Sequence, residues 1–241
     1  MIIIGVIIGF VMGLTGAGGA LVAIPLFMQF QNMTLKEASV FSLIAVVIAS
    51  LSNFFYQRKN AKLELAAIFV ISSALGSYAS HPYKNLIPDI AIAATLALIA
   101  LYSLYSIWTP SKKNSQSSSN INIWKTITIG LFLGVLTTFT GLGGGVLMLP
   151  ILIGVYKLEQ KQAVATSLVI VALSSLASFF IQISKGADLP VDQNFIGLIL
   201  SILVTSYLIK LLSLKISENK SELLRKAVFT IVVVLSLIKV F

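Results

Sequence analysis

Thr140-Gly141-Leu142-Gly143-Gly144-Gly145, followed by Pro150, interrupts an apolar run that extends from about residue 124 to 156. Glycine inside a helix costs about 1 kcal/mol relative to alanine, and proline about 3. A cluster of glycines therefore breaks the helix. The flanking residues are apolar enough to place the break at membrane depth, where irregular backbone is tolerated only inside protein or beside a water-filled cavity. The break is expected to be a functional element of a membrane protein.

Working outward, the same pattern stands 125 residues earlier, as Thr15-Gly16-Ala17-Gly18-Gly19 with Pro25. At that offset the halves superpose without a gap from Ile2 to Gln57. Gly5 meets Gly130, Gly9 meets Gly134, Lys36 meets Lys161 and Ser42-Leu43 meets Ser167-Leu168. Ser50-Leu51 then meets Ser175-Leu176, and Gln57 meets Gln182. Apolar matches carry little weight in such a chain; matched Gly, Pro, Ser, Lys and Gln at one offset mark an internal duplication. Downstream of about residues 62 and 187 the copies agree only in hydropathy. The chain divides into a first transmembrane repeat (1–108), a polar Ser- and Lys-containing linker (109–123) and a second repeat (124–241). Each repeat holds four apolar segments, at about 1–30, 37–57, 63–80 and 89–108, then 124–156, 161–183, 193–212 and 224–241. The fold class is all-α and polytopic.

Composition agrees. Hydrophobic residues make up 57% of the chain and charged ones 10%, where a soluble domain carries about 25%. Segments of about 20 apolar residues suit a hydrocarbon core of ~30 Å, and the protein is expected to be a multi-pass protein of the plasma (inner) membrane. The net charge of +9 forms no basic face. Its cations cluster between apolar runs, as at Arg58, Lys59 and Lys62, so nucleic acid is not a partner. The chain has no cysteine, which excludes thiolate metal sites. No cofactor or metal is expected. Neither glycine cluster ends in the Lys-Ser/Thr of a P-loop, and no nucleophile–base pair stands out, so an enzyme is not expected. Met1 to Gly5 lacks the basic region of a signal peptide, so the first apolar run is expected to stay in the mature protein.

The basic residues bear on topology. If all eight segments cross, the cations divide eight against nine. If each broken segment is a re-entrant hairpin, Lys36, Lys84, Lys185 and Lys239 lie on one side and the other thirteen opposite. That asymmetry is expected of a cytoplasmic face. A half-helix of ~10 residues rises about 15 Å, half the core. Each repeat then crosses three times, so the repeats are inverted and both glycine tips approach the midplane.

A helix restarting after each tip leaves its first amides unpaired, with about +0.5 charge from the macrodipole. Such N-termini bind oxyanions. The candidate binding residues are Thr15, Gly16, Gly18 and Gly19 in the first copy. Thr140, Gly141, Gly143, Gly144 and Gly145 are their counterparts in the second. Ser42, Thr166 and Ser167, near the starts of the second spans, join them. Gly5, Gly9, Gly13, Gly130 and Gly134 suit close helix packing; Ser50, Ser175, Asn53, Gln57 and Gln182 suit interhelical hydrogen bonding. No carboxylate lies in the middle of an apolar run, so no proton relay is legible. His81, before Pro82 at a segment end, reads as interfacial.

The glycine clusters with their prolines, together with Lys161-Gln162-Ala163-Val164-Ala165-Thr166-Ser167-Leu168, resemble the TauE/SafE family of sulfite and organosulfonate exporters. The likeness spans the chain, with departures at Ala20 (Gly145 in the second copy) and Phe41 (Thr166). The resemblance implies a secondary transporter, expected as an exporter, of a small sulfur-containing anion such as sulfite, thiosulfate or an organosulfonate. Its partners would then be that anion and the bilayer. An anion channel, a carrier of non-sulfur organic anions and a non-transporting membrane assembly factor are the alternatives.

Overall fold

The computed structural model describes residues 1–15, 19–108, 122–186 and 194–213, with positions 227, 230, 231 and 234. Most of the linker and of the eighth apolar segment, along with Gly16 and Gly18, lies outside the described residues. Within them are nine delimited α-helices and no strand. These are α1 (Ile2–Thr15), α2 (Gly19–Gln31), α3 (Leu35–Gln57), α4 (Leu63–Ser80), α5 (Asp89–Trp108), α6 (Ile123–Thr140), α7 (Gly145–Gly154), α8 (Gln160–Ser184) and α9 (Asn194–Ser213). Four apolar stretches among them are long enough to cross a membrane: Leu35–Phe55, Leu63–Lys84, Ile123–Thr140 and Gln160–Ser184.

Local chemistry sets several boundaries. Thr34 and Glu37 form a capping box at the start of α3. The Thr34 hydroxyl accepts from Glu37 N at 3.3 Å, and the Glu37 carboxylate accepts from Thr34 N at 2.8 Å. Asn122 caps α6 by accepting from Lys125 N at 3.1 Å. Burial along α4 is the reverse of a water-soluble helix. Ser72, Ser73, Ser77 and Ser80 face inward while Ile71, Leu75 and Tyr78 are more than half exposed. Small and hydroxylated residues line helix contacts when lipid is the solvent, because apolar burial no longer drives association.

The broadest helix contacts are α4 with α6, α1 with α9, and α3 with α8. The first two are parallel and built alike. A Cβ at Gly130 would overlap Ser72, and one at Gly134 would overlap the Ser73 carbonyl. A Cβ at Gly5 would overlap Ser201, and one at Gly9 would lie 2.8 Å from the Ile202 carbonyl. Ser77 Oγ donates to Gly134 O at 3.0 Å, and Ser206 Oγ to Gly9 O at 3.4 Å. Ser72 and Ser201 are 129 residues apart, as are Ser77 and Ser206. Likeness in the third segments thus exists at a shifted offset.

α3 and α8 are antiparallel. Lys84 Nζ touches both Ser39 near the start of α3 and Gln182 near the end of α8. Lys62 N, beyond the end of α3, donates to Thr166 Oγ1 near the start of α8 at 2.9 Å. Lys36 and Asp89, 3.6 Å apart, bring the start of α5 to the Lys84 end. α7 packs on α8, α5 and α2, and just beyond it the chain returns to the start of α6, where Tyr156 Oη lies 2.8 Å from Thr126 Oγ1 and its ring meets Phe69 with centroids 5.6 Å apart. α6 is longer than the half-helix the length argument expected: 18 residues, about 27 Å. α7, with ten, fits that argument. α6 runs straight through Gly130 and Gly134 because α4 packs on both. Phe41, standing where the second copy has Thr166, packs between Phe27 and Phe195 at ring-centroid distances of 5.8 and 6.2 Å.

Candidate functional site

The second glycine cluster forms a sharp turn. Gly141, Gly143 and Gly144 have φ of +69°, +63° and +68°, the left-handed region that side chains disfavour. Gly141 ends α6, its N–H donating to Thr137 O at 2.8 Å. Gly144 is the N-cap of α7 and offers no side-chain acceptor to the amides of its first turn. Gly145 N reaches only the Leu142 carbonyl, at 3.4 Å.

The turn is wedged between α3 and α8. Ser42 Oγ shares its proton between Ser39 O and Gly141 O, both at 2.8 Å. Ser174 Oγ lies 3.4 Å from Gly143 O. A Cβ at Gly143 would overlap Ser175 Oγ and lie 3.3 Å from Val46 Cγ1 of α3. Gly144 faces the other way, where a Cβ would find nothing nearer than Thr137 Oγ1 at 3.7 Å. It opens on a cavity of about 10 Å³, room for about one water, lined by Ile99, Leu136, Thr137, Thr140 and Val146 among others.

Of the residues singled out by sequence, Gly141, Gly143, Gly144, Gly145, Thr140 and Ser42 come together at this turn. Thr140 Oγ1 is committed locally, donating to Leu136 O at 2.7 Å and accepting from Leu142 N at 3.3 Å. Thr166 accepts from Lys62 N, well along α8 from the residues that meet the turn, and Ser167 Oγ donates to Val164 O at 2.9 Å. Thr15 closes α1 and Gly19 opens α2, bracketing the first glycine cluster.

Residues 1–239 match the family described as "Sulfite exporter TauE/SafE". The chain belongs to the TauE/SafE family. Among its relatives is the "Probable membrane transporter protein YunE" of Bacillus subtilis (strain 168). The two are 26% identical over 203 residues, which cover 73% of this chain and 74% of the relative. A "Probable membrane transporter protein" of Xylella fastidiosa (strain Temecula1) is 24% identical over 174 residues, 69% of this chain and 67% of that one. No solved structure gave a significant match. A TauE/SafE chain with this set of apolar helices is a multi-pass membrane transporter.

In this TauE/SafE chain the structure adds residues that sequence reading assigned to helix contacts or loops. Ser50 and Ser175, matched at the 125-residue offset, are fully buried on α3 and α8, and neither hydroxyl has a hydrogen-bond partner. An unsatisfied buried hydroxyl costs about 1–3 kcal/mol, so two at matched positions ask for an explanation. The duplication itself was the available signal. Lys84, in the 3₁₀ turn His81–Leu86 after α4, is 7% exposed with its ammonium turned inward. Nothing in the local sequence marks it as buried.

Proposed function

We propose that the chain is a secondary transporter of a small sulfur oxyanion or sulfonate, working by alternating access between two inverted repeats. The observation that carries this is the Gly143 turn. Uncapped amides of α7 and the partnerless Ser175 hydroxyl lie together inside the protein, where α3 and α8 pack on one another. Amide N–H groups at a helix start and a free hydroxyl are donors, and donors with no protein acceptor suit an oxyanion. The family's description supports a sulfur oxyanion within that class.

Inverted repeats are supported by the antiparallel α3–α8 pair, since those helices are matched at the 125-residue offset. They are supported again by the two parallel contacts, α1 on α9 and α6 on α4, which exchange under the same relation. The Thr126–Tyr156 bond supports a hairpin that returns to its own side. That return gathers Lys36, Lys84 and Lys185 at one end and, among the described residues, Arg58, Lys59, Lys62, Lys125, Lys157 and Lys161 at the opposite end, which the positive charge makes cytoplasmic. Discontinuous helices meeting between inverted repeats are where secondary transporters hold their substrate. Rocking of one repeat on the other about α3 and α8 then exposes the turn alternately to each side.

The test is counterflow with purified protein in liposomes loaded with unlabelled sulfite, thiosulfate, sulfoacetate or, as a control, acetate. A carrier accumulates external labelled sulfur anion transiently against its gradient, and acetate does not support this. Uptake without trans-stimulation would make the protein an open pore, and no uptake of any sulfur anion would remove the substrate assignment.

A further inference from the structure

Lys84 is a buried cation with neutral neighbours. Its ammonium has three hydrogens, and the structure supplies two acceptors, Gln182 Oε1 and, at 3.5 Å, Ser39 Oγ. The carboxylates nearest that end are engaged elsewhere. Asp89 lies 3.6 Å from Lys36, and Glu37 accepts from Thr34 N and Thr34 Oγ1 at 2.8 and 2.9 Å. Lys185, at the same end, sits over the Tyr78 ring at 5.5 Å and adds positive charge. Burying a charge is costly unless it is paired, and no described carboxylate pairs with this one.

Gln182 supplies the second observation. Lysine only donates, so the Gln182 carbonyl oxygen must face Lys84 and its amide nitrogen must point away. That Nε2 is buried, on a residue 1% exposed, and has no partner. A free ammonium proton and a free amide donor therefore lie at the two arms of one carboxamide group. Ser39 connects this pair to the glycine turn, since its Oγ contacts Lys84 while its backbone packs on Gly141.

We propose that Lys84 and Gln182 Nε2 form a second oxyanion-holding station at the Lys84 end of the turn. There the transported anion is received from or released to the side away from the linker. The proposal rests on the transporter reading above and adds its cationic element. A small oxyanion with two free oxygens satisfies both donors at once; a monodentate ligand does not.

The experiment measures the KM of [35S]thiosulfate and [35S]sulfite counterflow in phosphatidylcholine liposomes, which hold no anionic headgroup. Charge-assisted hydrogen bonds support a KM rise of about tenfold or more in Lys84→Met, with Lys84→Arg within about threefold of wild type. Gln182→Glu is decisive even if Lys84→Met fails to insert. It gives Lys84 an internal counter-ion, so the thermal midpoint holds or rises while KM rises about tenfold. Lys185→Met, a cation at the same end outside the station, stays within about twofold. Wild-type KM in both Lys84→Met and Gln182→Glu overturns the station and leaves the transporter reading standing. An effect of Lys84→Met that appears only in phosphatidylglycerol liposomes assigns the lysine to a net anionic lipid headgroup and also overturns it. Absence of sulfur-anion counterflow in the wild type removes the transporter reading and the station together.

Discussion

Replacing Gly143 by alanine tests the turn most directly, and the structure gives the size of the effect. At φ of +63° a Cβ costs about 1–2 kcal/mol from backbone sterics alone. The same Cβ overlaps Ser175 Oγ, and overpacking of that kind costs about 1–3 kcal/mol more. The total, about 2–5 kcal/mol, is a large share of an ordinary folding free energy of about 5–15. Ser175→Ala alone removes a buried hydroxyl without a partner and is expected to hold or raise stability. In the double variant the steric part is relieved and the φ part remains, so the cycle shows a favourable coupling of about 1–3 kcal/mol. The assay is unfolding of all four proteins in nanodiscs, with counterflow run in parallel. Ser175→Ala should weaken apparent anion affinity about tenfold or more even though it is no less stable. A Gly143→Ala protein that unfolds like wild type would refute the left-handed turn. A double variant with no recovery would refute the Ser175 contact.

Four further outcomes follow from packing and topology. Gly134→Ala drives a Cβ into the Ser73 carbonyl, backbone that cannot rotate away, and should cost about 1–3 kcal/mol. Gly154→Ala meets nothing within 4 Å and should be neutral or stabilising by up to about 1 kcal/mol, as read from the same unfolding curves. Thr126→Val and Tyr156→Phe each remove one side of the 2.8 Å bond closing the hairpin. Each should cost about 1–2 kcal/mol, with the double variant less destabilised than their sum. Because the chain has no cysteine, single cysteines report sidedness cleanly. Cysteines at Asn60 and Lys161 should label from one side with an impermeant maleimide and a cysteine at Tyr83 from the other; labelling of Asn60 and Lys161 from opposite sides would reject the returning hairpin.

Much of this was legible because glycine clusters and a fixed offset are visible without coordinates. The helix break at Gly141–Gly144 follows from propensity alone, and the packing role of Gly5, Gly9, Gly130 and Gly134 from their spacing. The third segments looked unrelated because their register moves from 125 to 129 residues between Gln182 and Ser201, so matching at one offset passes over Ser72 and Ser77. The length of α6 was misjudged for a physical reason. Gly130 and Gly134 carry a propensity cost inside α6, but α4 closes on both and offsets it. Thr166 looked like a ligand by its place in the motif, yet a hydroxyl on a helix serves whichever backbone group passes it, here Lys62 N. Lys84 was the least legible residue. A lysine beside Pro82 at the end of a hydrophobic run is ordinarily solvated, and only the tertiary approach of α3 and α8 takes it out of water.

The parallel contacts of α1 on α9 and of α6 on α4 interlock the halves. Each of the two helices, α1 and α6, seats against a helix from the other half of the chain, as arms cross in a handclasp. A fragment ending at the linker would leave the serine side of α4 and the glycine side of α1 bare to lipid, while the complementary fragment would lack a seat for α6. Severing the chain between Lys112 and Lys113 and producing both pieces together should still assemble one particle, whereas either piece made singly should be degraded. That outcome would make the linker dispensable as a covalent tie.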